Sequence, residues 1–131
     1  MPRPLIFVYG SLRQGAGRDG LLAAFPRRSG GVRGRIYRLP AGEPALEPDP
    51  EAALIRGEVV ELQVPGMLRV LDLIRAGPNR VMERRRVQVI VDLGPELAAW
   101  AFVLRRGEAR RRGLLQMSAR DWRDLSPRSD L

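Results

Sequence analysis

The chain opens on a run of apolar residues, Leu5-Ile6-Phe7-Val8-Tyr9, cut off by Gly10-Ser11. A short apolar run bounded by turn residues reads as a buried strand. Gly15, Gly17 and Gly20 interrupt the next segment, which predicts a loop over 11–20. Leu21 to Phe25 supplies one or two helical turns, closed by Pro26. From Gly31 to Leu39 the pattern alternates, with Val32, Gly34 and Ile36 on one side and Arg33, Arg35 and Tyr37 on the other. That is a half-buried strand with an arginine-rich outer face. Turns are predicted at Pro40–Pro44 and at Pro48–Glu51, the second at a hairpin tip, and the next strand at Leu54–Leu62. Met67, Leu68, Leu71 and Ile74 recur at helical spacing, so a short amphipathic helix is predicted from Pro65 to Arg75. Pro65 suits its first turn. Val81–Val91 and Leu97–Leu104 read as two strands joined by a loop at Leu93–Glu96, with Val87, Val89 and Val91 sharing a face. Beyond Gly107 charges alternate around Leu114, Leu115, Met117 and Trp122, which predicts a docked segment and then a loose tail over 126–131. Five or six short strands with one or two small helices, and no repeat or linker, predict a single strand-dominated α+β domain over 1–125.

Composition narrows the chemistry. A chain of 131 residues that is 44% hydrophobic holds a real core, and with aromatics at 5% that core is built mostly of Leu, Val, Ile and Ala. There is no cysteine and no histidine. Disulfides, thiolate metal sites, Cys nucleophiles, Ser-His-Asp triads and imidazole proton shuttles are therefore excluded. All 23 basic residues are arginine, so no Schiff-base or P-loop lysine is present either. Acid–base work falls to Asp, Glu or Tyr. The formal charge of +8 fits either an anionic partner or coding that favours arginine over lysine, and the abundant Ala, Gly and Pro favour the second. No apolar stretch approaches the ~20 residues of a membrane span, and the five apolar residues after Pro4 are too few for a secretion signal. The expectation is a cytoplasmic protein without membrane contact.

The sharpest local feature is Phe7-Val8-Tyr9-Gly10-Ser11-Leu12-Arg13, a strand running straight into a Gly-Ser turn. Such a turn offers successive backbone N–H groups, and glycine lets a ligand approach the main chain closely. Val8 to Leu12 resembles the opening motif of the gamma-glutamylcyclotransferase-like, or AIG2-like, family. Further segments come in the family's order. Gly34-Arg35-Ile36-Tyr37-Arg38-Leu39-Pro40-Ala41-Gly42-Glu43-Pro44-Ala45, Ile55-Arg56-Gly57-Glu58-Val59, Leu71-Asp72, Met82 to Val87 and Trp100 to Val103 each resemble a family segment. The likeness runs over about residues 5 to 104.

The resemblance implies a small mixed β-barrel with short helices and a pocket at one end. It implies that Tyr9, Gly10, Ser11 and Leu12 hold a γ-glutamyl group by their backbone N–H groups. A Glu moves protons while the substrate's own α-amine attacks the γ-carbonyl, the γ-amide bond breaks to expel an amine, and 5-oxoproline is released, with no cofactor and no metal. The nucleophile is intramolecular, so the protein supplies orientation and one carboxylate. The family's Glu position is occupied here by Arg75, whose guanidinium is always protonated and only donates. Glu43 and Met82 stand where the family has tyrosines. These departures imply an altered or lost activity, with Glu43 as the candidate substitute base and Arg75 as a candidate anion-binding residue. Asp72 and Glu58 read as structural, and Glu83 as a surface partner of Arg84, Arg85 and Arg86.

Three functions fit these residues: a cyclotransferase with a different acid–base group, a module binding a small carboxylate, γ-glutamyl compound or phosphate, and a basic interaction protein contacting nucleic acid or an acidic partner. The runs Arg84–Arg86, Arg105-Arg106 and Arg110–Arg112 have few aromatics near them, which argues against stacking on nucleic acid. They read as a solvated basic surface. Oligomeric state and ligand identity are open at this point.

Overall fold

The structure, a computed structural model, describes residues 3–9, 25–40, 42–76 and 81–118, with the backbone alone for 74–76. The described residues form seven strands and two short helices in the order β1 (Leu5–Val8), β2 (Arg27–Arg38), β3 (Pro44–Pro48), β4 (Leu54–Glu61), α1 (Met67–Ala76), β5 (Met82–Val91), β6 (Glu96–Leu104), α2 (Glu108–Arg112) and β7 (Leu115–Gln116).

Five strands close on themselves. β1 runs antiparallel to β4, β4 to β2, β2 to β5 and β5 to β6, and β6 returns parallel to β1 at Ile6↔Trp100. Closure shortens the exposed edges that a small open sheet would carry, although the β2–β5 seam is only two residue pairs long. β2 is long enough to pair with different strands along its two halves. Its first half lies along β4, and its second half pairs with β3 and, at Tyr37–Arg38, with β7. β3 in turn touches β6 at Leu46↔Val103. The result is the small mixed barrel with short helices that the resemblance implies.

Alternation along the strands creates two apolar layers. Inside the barrel Phe7, Tyr9, Val59, Val87, Val89 and Val103 pack with their neighbours. On the outer face Ile6, Val8, Val60, Phe102 and Leu104 form a second cluster, which Leu71 of α1 covers. Both layers are dry at their centres: Ile6, Val60, Leu71, Val89 and Leu104 are fully buried. Each such side chain contributes about 1.5–3 kcal/mol. Gly57 explains itself by close approach. A Cβ there would lie 2.4 Å from Phe7 Cζ and 2.5 Å from the carbonyl oxygen of Val8, so only glycine lets β1 sit this near β4.

Most predicted elements are present with shifted ends. β2 begins at Arg27 rather than Gly31, α1 runs from Met67 to Ala76, and β1 stops at Val8 with Tyr9 buried just beyond it. β3 was not expected: prolines at both ends make Pro44–Pro48 look like linked turns, and pairing with β2 makes it a strand. α2 was not expected either. Its five residues are bracketed by Gly107 and Gly113 in left-handed conformations, and Ala109 is its buried residue. The predicted 11–20 loop, the turns at 21–25 apart from Phe25, and the tail at 126–131 lie outside the described residues. No helix among the described residues is long and apolar enough to cross a membrane.

Candidate functional site

Tyr9 turns its side chain into the barrel. The ring stacks near Phe7, with centroids 6.1 Å apart. Its hydroxyl donates to the Phe102 carbonyl at 2.7 Å and accepts from the Leu46 amide at 2.9 Å. One hydroxyl thus ties β1 to β6 and β3, so the phenol acts as a structural clasp. Only the backbone of Tyr9 is left for the ligand role expected of it. Gly10, Ser11 and Leu12 lie outside the described residues, as does the side chain of Arg75.

The strand register shows which side chains surround the end of β1. Val8 lies opposite Glu58 on β4, and residues directly opposite share a face. Glu58 therefore stands on the outer face with Val8 and Val60, the layer that α1 covers. It is 6% exposed and is the buried charged residue among those described. Arg27, from the start of β2, donates to its Oε1 at 2.9 Å. Sequence reasoning treated Glu58 as structural, with no sign that it pointed inward. The signal that would have found it is the phase of β4: Val60 and Leu62, at the same parity, are both core.

The sequence singles out three other carboxylates. Glu43 is half-buried immediately before β3, and its carbonyl accepts from the Leu39 amide across the turn. Asp72 on α1 holds Arg84 of β5 at 2.8 Å, pinning helix to sheet and bearing out its structural reading. Glu83 does not pair with the arginines beside it. Its partner is Arg105 at 3.6 Å, because consecutive strand residues point to opposite faces and Arg84 turns towards α1. Among the described residues no cluster of His, Cys, Asp or Glu could hold a metal ion.

An aromatic does stand beside the arginine run. Arg84 and Arg86 lie over the ring of Trp100, at 4.5 and 4.7 Å from its centroid. Alternate residues of one strand thus reach one side chain on its neighbour. The ring is taken up by these two guanidiniums and by the outer apolar cluster.

A family model described as "Gamma-glutamyl cyclotransferase, AIG2-like" matches residues 6–124. No curated protein matches the sequence. Several solved structures are similar in fold. YkqA from Bacillus subtilis is 24% identical with a TM-score of 0.73, the match covering 99% of this chain and 43% of that one. This chain therefore spans less than half the length of that protein. An AIG2-like protein from mouse is 22% identical with a TM-score of 0.62, over 79% of this chain and 78% of the other. A protein specific to uropathogenic E. coli is 14% identical with a TM-score of 0.69, over 96% and 97%.

Proposed function

Because the chain belongs to the gamma-glutamyl cyclotransferase, AIG2-like family, we propose that it binds a small carboxylate, of the γ-glutamyl class, at the Tyr9–Leu12 segment that follows β1. We further propose that it does so without ordinary cyclotransferase turnover. The observation that carries this reading is Arg75. In Leu71-Asp72-Leu73-Ile74-Arg75 it stands where the family resemblance puts a proton-carrying Glu. A guanidinium cannot take a proton from an amine, but it grips a carboxylate with two parallel donors. The Gly10–Leu12 segment adds backbone N–H groups of the same preference.

Two structural facts support the arrangement. Leu71, one turn before Arg75, packs in the same cluster as Val8, so α1 and the end of β1 belong to one layer. The described carboxylates in that layer are already engaged: Asp72 with Arg84 and Glu58 with Arg27. Glu43, which has interactions of its own, is the substitute base that the sequence suggests. The test is calorimetry with glutamate, γ-glutamyl amino acids and acetate on the parent and Arg75→Ala. A hydrogen bond to a charged group contributes about 1.5–3 kcal/mol, so the variant should bind about ten- to a hundredfold more weakly. Equal affinity in both proteins refutes the anion-binding role of Arg75.

A further inference from the structure

β5 is paired unequally on its two sides. Along one edge it matches β6 from Met82 to Ile90. Along the other, among the described strands, it meets β2 only at Ile90 and Val91, because β2 turns away to pair with β3. Among the described residues the edge from Met82 to Val89 is therefore unpaired, and a groove of about 1110 Å³ runs beside it. Arg85, Val87 and Gln88 line one wall, and Glu47, Asp49 and Glu51 lie on the other. Arg106 and Arg110 close the end where α2 begins. None of its described lining residues belongs to β1 or α1.

Among the described lining residues arginines outnumber carboxylates six to four, Glu51 and Glu96 being among the carboxylates. Asp49 is taken by Arg35, and Glu47 accepts from the Gly107 amide at 3.0 Å. Arg85, Arg106 and Arg110 make no salt bridge among the described residues. An unpaired strand edge is a template for another strand, and it is usually blunted by a cover or by charge. Here the charge is of one sign on the β5–α2 wall, which repels a basic strand and admits an acidic one. The volume exceeds the ~300–1,000 Å³ of small-molecule pockets and suits a length of extended chain. We propose that the open edge of β5 takes an extended acidic segment of a partner protein as an added strand, its carboxylates meeting Arg85, Arg106 and Arg110. Main-chain hydrogen bonds to β5 would give affinity, and the arginines would select acidic side chains.

The test is fluorescence anisotropy on the full chain with a labelled peptide of alternating Glu and Thr, at low and raised salt. Two further peptides of that sequence carry N-methyl groups, each on one alternate set of amides. Only one set can point at β5. The parent peptide should bind, more weakly as salt rises, and one methylated form should lose at least about tenfold while the other binds as before. Arg85→Ser/Arg106→Ser/Arg110→Ser should weaken binding by about tenfold or more, on the scale of several exposed ion pairs acting together, with an unchanged melting temperature. Equal binding of all three peptides would overturn strand addition. Tighter binding of a single-stranded oligonucleotide of equal charge would overturn the peptide assignment, as would no saturable binding at low salt. The peptide series decides the matter even if the triple variant does not fold.

Discussion

Arg27 and Glu58 meet 2.9 Å apart with only 12% and 8% of their side chains exposed. The pair joins the first residue of β2 to the middle of β4, opposite the end of β1. Buried ions are costly to desolvate, and their mutual attraction and hydrogen bonds offset that cost. Breaking one partner should therefore be worse than removing both. Arg27→Met is expected to destabilise the fold by about 3–5 kcal/mol, whereas Arg27→Met/Glu58→Leu should recover most of that loss. Urea denaturation of the three proteins measures it. A double variant no more stable than the single one would show that the pair does not act as a unit.

The clasp made by Tyr9 separates structure from binding. Tyr9→Phe leaves the buried Leu46 amide and Phe102 carbonyl without their partner. The expected cost is about 1–3 kcal/mol. Because the hydroxyl faces the barrel interior, affinity for small carboxylates at the proposed site should not change. Thermal unfolding and calorimetry on the same sample read both quantities.

Close packing at Gly57 gives a steric prediction. Gly57→Ala forces a methyl group against Phe7 and the backbone of Val8. Overpacking of a filled core costs about 1–3 kcal/mol, and a backbone atom that cannot yield raises it. Gly31→Ala, whose nearest contact would be 3.3 Å, should cost clearly less when the two are compared by urea denaturation.

Glu108 supplies the pH dependence. Hydrogen bonds from Arg111 at 2.5 Å and Arg112 at 2.6 Å hold its carboxylate low, down to about 2. A carboxylate lowered on folding stabilises the folded state above the ordinary carboxylate range, and the contribution disappears as pH falls towards 2. Both arginines are exposed to solvent, so salt should weaken the effect. NMR titration of the Glu108 carboxyl should show the low midpoint in the parent and a rise towards the ordinary range in Arg111→Ser/Arg112→Ser.

Much of the architecture was legible in the chain. Apolar alternation at Val87, Val89 and Val91, and helical spacing at Met67, Leu68 and Leu71, reflect single faces that must be buried, so they predict elements directly. β3 was hidden because its pairing partners are far away in sequence and its prolines mimic turns. α2 was hidden because only Ala109 of its five residues is buried. At the candidate site, local sequence made Gly10–Leu12 and Arg75 stand out. It could not disclose the ion pair of Glu58, since Arg27 is brought to it by strand register over 31 residues of separation.

The proposal that Arg75 replaces a proton carrier is tested most directly by release of 5-oxoproline from γ-glutamyl amino acids, with Arg75→Glu assayed beside the parent. General acid–base catalysis typically supplies about 10²–10⁴-fold. The parent should turn over at least that far below a catalytically competent family member, and Arg75→Glu should recover measurable activity. Turnover by the parent at the competent member's rate would contradict the account.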